Sequence, residues 1–421
     1  MPIATDVEAR RGTSTRRALL LLSLAQFLAM SLWFTGTAIL PQVTGLWHSG
    51  LTLGSWLTIA VQIGFSLGAI TFALFNIPDV LSPITVLVAS ALAAAAANAG
   101  FALVAAEPVP AILLRGLTGF FLAGVYPVGM KIMAGWFQRG RGLALGIMIG
   151  ALTLGSAVPH AVNSLGSIPW RGVVLLGSVL AVAGALIVAL FVRQGPFAVP
   201  QSRLDLSQIL EIVRNRRVRL ANLGYLGHMW ELYAMWGWIA VIFSASSGGS
   251  WSKTKYESAA AMAIAIGAIG CVWAGVASDR LQDQVDSVRV GQRARVTIVA
   301  MAISAVCCIL GFLAFHQPLL LLLLSVVWGI AIIADSAQFS AIISEVSDKS
   351  YVGTALTMQT ALGFMLTAFS IRAMAAIASH VGWRWALAAM AVGPLLGISA
   401  MSGLLPKSQE RAPKPSAINR I

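Results

Sequence analysis

The stretch ALLLLSLAQFLAMSLWFTGTAIL, Ala18 to Leu40, runs for 23 residues without a charged side chain. Arg16 and Arg17 stand directly before it, which is also how a secretory leader begins. A leader's apolar core is only roughly 7–15 residues long, however, and a helix that crosses a bilayer needs about 20 apolar residues. The length therefore predicts a first membrane helix that is retained.

Eleven further apolar runs follow, near 53–75, 83–105, 111–132, 142–165, 172–192, 221–243, 258–277, 296–315, 318–341, 352–378 and 385–405. Composition fits that count. Of 421 residues 58% are apolar and only 10% charged, with a mean hydropathy of +0.84. A soluble domain carries roughly a quarter charged residues. This chain has too few to cover a water-facing surface, and lipid is its natural solvent. The runs are continuous and rich in Leu and Ala, unlike the short alternating strands of a membrane barrel. A helix satisfies its own backbone in lipid, so the fold class expected is all-α integral membrane, with twelve transmembrane helices in two six-helix halves.

Twelve spans place both termini on one side, and Lys and Arg decide which. With the N-terminus inside, 21 basic residues fall in cytoplasmic segments, 4 in outer loops and 3 within spans. Both ends are therefore expected in the cytoplasm, with the protein multi-pass in a plasma membrane such as a bacterial inner membrane. The net charge of +13 is then a topology signal, and no nucleic-acid partner is implied. The expected organisation is a tail at 1–17, six helices over 18–192, a cytoplasmic linker at 193–220, six helices over 221–405 and a tail at 406–421. Within the linker, Leu204–Leu220 with Arg214, Arg216, Arg217 and Arg219 reads as an amphipathic helix on anionic headgroups. Cys271, Cys307 and Cys308 all lie in apolar runs and read as buried hydrophobes. No metal or other cofactor is expected.

The two halves repeat. Trp170-Arg171 precedes the sixth run and Trp383-Arg384 the twelfth, 213 positions apart. Arg141-Gly142-Leu143-Ala144-Leu145 precedes the fifth and Val352-Gly353-Thr354-Ala355-Leu356 the eleventh, 211 apart. Two correspondences in equivalent places indicate a 6+6 duplication. Duplicated halves that rock about a midplane site are a device of secondary transporters.

Local motifs agree. Arg115-Gly116-Leu117-Thr118-Gly119 followed by Gly124 in the fourth run, Gly135-Trp136-Phe137 with Arg141-Gly142 after it, and Gly275-x-x-x-Asp279-Arg280 after the eighth form one set. Across the whole chain this pattern resembles the major facilitator superfamily. The resemblance implies that Asp279 and Arg280 help latch the cytoplasmic side. The N-terminal copy of that loop is reduced to Asn76-Ile77-Pro78-Asp79, which keeps only the Asp. Ala151 stands where the drug-antiporter branch has proline, and the second and eighth runs lack the arginines of the nitrate/nitrite branch. The superfamily is implied; the substrate is left open.

Ionisable groups inside spans are costly and are functional candidates by default. Glu231 is near the middle of the seventh run, where a carboxylate is hardest to keep ionised, so it is the leading candidate proton carrier. His228, three residues earlier on the same face, could share that proton. Asp335 in the tenth run, with Ser336, Gln338 and Ser340 around it, is a third candidate coupling residue. Arg115 wants a carboxylate, a substrate anion or helix C-terminal carbonyls. The resemblance implies a role in coupling, and orienting a solute is the expectation taken forward. The family's cavity is lined by spans one, four, seven and ten. Gln26, Met30, Trp33 and Thr37 recur at helical spacing in the first, and Tyr225 and Trp236 in the seventh, as substrate-binding candidates. His160, after Pro159, is a weaker candidate, and Lys131 and Arg372 are close enough to span ends to reach headgroups. The resulting expectation is a functional monomer moving a small polar or anionic solute by alternating access, coupled to protons. An uncoupled facilitator, a drug or metabolite exporter and a transporter-like sensor are the alternatives. An enzyme would need a nucleophile–base pair or metal cluster that the sequence does not offer.

Overall fold

The computed structural model describes residues 3–104, 106–166, 168–197, 206–281, 286–348 and 351–406. Every regular element among them is helical. Span 1 is a helix over Ile3–Met30 that turns at Ser31–Phe34 and resumes in short pieces, Thr35–Ala38 and Leu40–Leu46. Spans 2 to 6 are Trp56–Leu74, Pro83–Val104, Pro108–Ala134, Arg141–Ser164 and Trp170–Phe191. Span 7 is Arg216–Ser246, span 8 Lys253–Arg280 and span 9 Asp286–Leu313. Spans 10 to 12 are Pro318–Val346, Val352–Val381 and Trp383–Ser402. Large apolar side chains such as Leu103, Leu190, Leu323 and Leu396 stay exposed on the outside of the bundle, as a lipid-facing surface requires.

Among the described residues, ten helices are long and apolar enough to cross a membrane, and spans 1 and 7 are outside that set. The reasons are local. Span 1 is interrupted after Met30, and span 7 carries His228, Glu231 and three tryptophans. These are the first helices of the two halves.

The repeat is in register with the helices. Trp170 and Trp383 each open a helix, and Arg141 and Val352 open the two equivalent ones. The linker differs from expectation. A six-residue helix, Ile209–Arg214, ends at Asn215, whose extended backbone breaks the predicted Leu204–Leu220 helix. Asn215 instead caps span 7, accepting from the amides of Arg217 and Val218, so Arg216 to Leu220 belong to that span. Residues 204 and 205 lie outside the described residues.

Glycines set two of the closest approaches. A Cβ at Gly119 would sit 2.1 Å from the Val61 carbonyl oxygen, so span 2 packs backbone-to-backbone on the face of span 4 that carries Arg115. At the seam between spans 5 and 8, a Cβ at Gly275 would meet the Gly142 oxygen at 2.6 Å. The halves also meet between spans 2 and 11, where Ser66 Oγ donates to the Ala361 carbonyl at 2.9 Å. One end of the bundle carries the arginine-rich connections and is called the basic end below.

Candidate functional site

Arg115 is 0% exposed, and its guanidinium binds the break in span 1. Nη1 donates to the Leu32 carbonyl at 3.0 Å and Nη2 to that of Trp33 at 2.6 Å. Nε donates to the Leu57 carbonyl of span 2 at 3.2 Å. Nη1 also reaches Thr35 Oγ1 at 2.9 Å and Asn98 Oδ1 at 2.8 Å. Asn98 in turn donates to the Val174 carbonyl and Ser178 Oγ of span 6. Of the three partners expected for this arginine, helix-end carbonyls are the ones it has. Its donors tie span 4 to spans 1, 2 and 3, Asn98 extends the network to span 6, and in this conformation those donors are not turned to a solute.

Beside this node lies a layer of aromatic side chains contributed by both halves. Trp33 contacts Phe65, Tyr233 and Phe364 with ring centroids 4.9, 5.7 and 5.5 Å apart. Phe34 contacts Tyr233 and Trp236, at 6.1 and 5.8 Å. Phe65 and Phe364 approach to 4.2 Å, and Tyr233 joins Phe364 and Trp236. All six rings are buried. Among the described residues Trp33 Nε1 and Trp236 Nε1 have no hydrogen-bond partner, and neither does the buried amide of Gln62, on the Phe65 face of span 2. Buried donors of this kind call for an explanation, and a ligand acceptor is one.

The predicted stripe on span 1 is not continuous, because the helix breaks after Met30. Trp33 enters the aromatic layer. Thr37 instead hydrogen-bonds Thr58 of span 2 at 2.6 Å, and Gln26 lies against Gly129 of span 4. Tyr225 is likewise apart from Trp236. Eleven residues separate them, about 16 Å along a helix, and Tyr225 packs on His228 and Phe339.

Glu231 and His228 do not pair. Glu231 and Tyr233 are two positions apart, roughly 200° around the helix, so Glu231 points away from the aromatic layer into its own half. Its Oε1 accepts from Trp328 Nε1 at 2.6 Å, Ser304 Oγ at 2.7 Å and Cys308 Sγ at 3.1 Å. The carboxylate thus ties span 7 to spans 9 and 10. His228 Nδ1 lies 2.8 Å from Asp335 Oδ1, both buried, where span 10 breaks between its two helical pieces. The structure therefore brings together His228 with Asp335 and leaves Glu231 in a separate group of neutral donors.

At the basic end, Asp279 reaches across the halves. Its two carboxylate oxygens accept from the amides of Gly142 and Leu143 at 2.7 and 2.8 Å, capping the first turn of span 5. Arg280 is exposed in the last turn of span 8. Asp79 pairs with Lys131 of span 4, within one half, so the two copies of the loop are not equivalent. Lys131 is thus committed to an ion pair as well as lying near a span end. Behind the seam, Arg293 donates to Glu345, Ser278 and Gln338. A cavity of about 270 Å³ opens between the halves at this end, lined by Phe72, Tyr126 and Met130 on one side and Ser340, Leu356 and Thr360 on the other.

Sequence reading passed over Asn98, Gln62, Arg293, Asn163 and Glu257. Asn98 and Gln62 carried a usable signal, each an isolated amide in an apolar run. Glu257 falls just outside the eighth apolar run at 258–277, whereas the helix starts at Lys253. Among the described residues no group of three or more His, Cys, Asp or Glu could hold a metal ion.

No curated protein matches the chain. A sequence model described as Major Facilitator Superfamily matches residues 22–286 and again 285–420. With helices throughout, a duplicated register and an aromatic layer where the two copies meet, the chain belongs to the major facilitator superfamily of membrane transporters.

Proposed function

We propose that the protein moves a small polar solute by alternating access and couples that movement to protons through Glu231. In this reading the solute binds at the aromatic layer, against the indole N–H groups of Trp33 and Trp236 and the amide of Gln62. The commitment of Arg115 to backbone carbonyls favours a polar over an anionic solute. The basic end is the cytoplasmic one, and the cavity beside Tyr126 and Ser340 is the way in or out on that side. The working unit is a monomer.

The observation that carries the coupling is the two-sidedness of span 7. One face presents Tyr233 and Trp236 to the other half, while the opposite face holds Glu231 against Ser304, Cys308 and Trp328. A proton gained or lost at Glu231 alters the hydrogen bonds that fix span 7 on spans 9 and 10. That change reaches the solute site through one rigid helix. His228 and Asp335, a turn nearer the basic end, form a second pair on the same route.

The test is solute flux in liposomes loaded with a pH-sensitive dye, with wild type beside Glu231→Gln. Wild type is expected to show solute-driven proton movement, and the variant to lose it by at least about tenfold while keeping solute exchange, the scale expected of a removed proton carrier. Solute flux without proton movement, unchanged by the substitution, would refute the coupling and leave an uncoupled facilitator.

A further inference from the structure

At the end of the bundle opposite the basic end, a second buried acid–base pair joins the halves. His160 of span 5 is 0% exposed and Glu257 of span 8 is 2% exposed. His160 Nδ1 lies 2.6 Å from Glu257 Oε2. Asn163, one turn further along span 5, donates from Nδ2 to Glu257 Oε1 at 2.8 Å and to the Ala38 carbonyl of span 1 at 2.6 Å. Glu257 is thus hydrogen-bonded at both oxygens, accepting from Asn163 at one and sharing a proton with His160 at the other, and both partners come from the other half. His160 Nε2 has no partner among the described residues, so the ring keeps a position at which a proton can arrive or leave.

We infer that His160 and Glu257 form a proton-binding site of their own, occupied when the halves are closed at this end and emptied when they part. The argument is one of charge. With one proton shared between imidazole and carboxylate the node is neutral, and it can stay buried. Without that proton it is a lone buried anion, and separation of the halves lets water solvate it. Closing therefore takes up a proton and opening releases one. This site is distinct from Glu231, whose partners all lie within one half. The direction of release rests on reading this end as the extracellular one.

The other titratable groups around the node do not substitute for it. On span 8, Lys255 is exposed over the Trp251 ring at 4.6 Å, and Lys253 faces Gln42 once that amide is oriented to accept. Tyr256 is on the same turn and partly buried. On span 6, Arg171 is exposed over Trp170 at 5.1 Å, and His48 beyond span 1 is also exposed. The neighbouring ends of spans 7 and 10, Ile239–Ser246 and Pro318–Ser325, carry none.

The experiment reads the opening directly, in the full-length protein and without a solute. Spin labels on Glu107→Cys and Gln317→Cys, both exposed at this end and in different halves, report the separation of the halves by pulsed dipolar spectroscopy. The three native cysteines are buried. Between about pH 6 and about pH 8.5, the ratio of long to short distances is expected to rise about tenfold. Glu257→Gln removes the carboxylate and should abolish that rise. Glu257→Asp keeps it, which guards against a variant that merely misfolds. Solute-driven proton movement in the liposome assay reads Glu231 separately, so that failure of coupling at Glu231 and failure of this site give different results. A distance distribution independent of pH in the parent, or an undiminished rise in Glu257→Gln, overturns the inference.

Discussion

Replacing Arg115 with alanine will destabilise the folded protein by on the order of 3–5 kcal/mol, the cost of leaving several buried acceptors without their charged donor. Five contacts end at this guanidinium, three of them backbone carbonyls of spans 1 and 2. Without it, the carbonyls of Leu32 and Trp33 face a membrane interior with no charged donor, and Asn98 loses its strongest partner. Unpaired backbone groups in hydrocarbon cost several kcal/mol each, so the break in span 1 cannot be kept. Thermal unfolding in detergent, followed by size-exclusion fluorescence, checks this. Arg115→Lys should recover less than half of the loss, because one ammonium cannot reproduce a planar fork spread over three helices. If Arg115 served only to orient a solute, Arg115→Ala would melt like wild type and show its defect in solute affinity alone. That outcome would overturn the structural role.

The fold was legible in the sequence because lipid imposes a strong constraint. Each run of about 20 apolar residues had to be a helix, and Trp170-Arg171 with Trp383-Arg384 revealed the duplication without any three-dimensional information. The site was less legible, for reasons that differ from residue to residue. Arg115 and Glu231 were found because charges in apolar runs stand out. Their roles were not, because sequence does not say which way a side chain leaves its helix. Glu231 and His228, three residues apart, both face span 10, but Glu231 meets Trp328 there and Ser304 of span 9, while His228 meets Asp335 at another level of the helix. The stripe on span 1 assumed an unbroken 3.6-residue period, and the turn at Ser31–Phe34 removed Thr37 from it. The aromatic layer was half seen, through Trp33 and Trp236. Phe65 and Phe364 gave no signal, since a phenylalanine in a membrane span ordinarily faces lipid or a neighbouring helix.

Asp279→Ala will open the basic end. The carboxylate accepts from two free amides in the first turn of span 5, and it comes from the opposite half, so the contact exists only while the halves are closed there. Charge-assisted bonds of this kind contribute about 1.5–3 kcal/mol net, which corresponds to a shift of roughly tenfold to 150-fold in the closed-to-open ratio. The close approach of Gly142 and Gly275 does not compensate, because that packing holds the helices side by side without orienting their ends. Asp279→Asn is expected to fall between, since its amide presents an acceptor to one N–H and a donor to the other. Hydrogen exchange of the Gly142 and Leu143 amides, compared with the middle of span 5, reads the contact residue by residue. Faster exchange confined to that first turn is a lost cap. Faster exchange there together with greater labelling in the cavity beside Tyr126 and Ser340 is an opened gate, the result expected here. Unchanged exchange at both amides would mean that the seam is held by the glycine packing alone and that Asp279 is no latch.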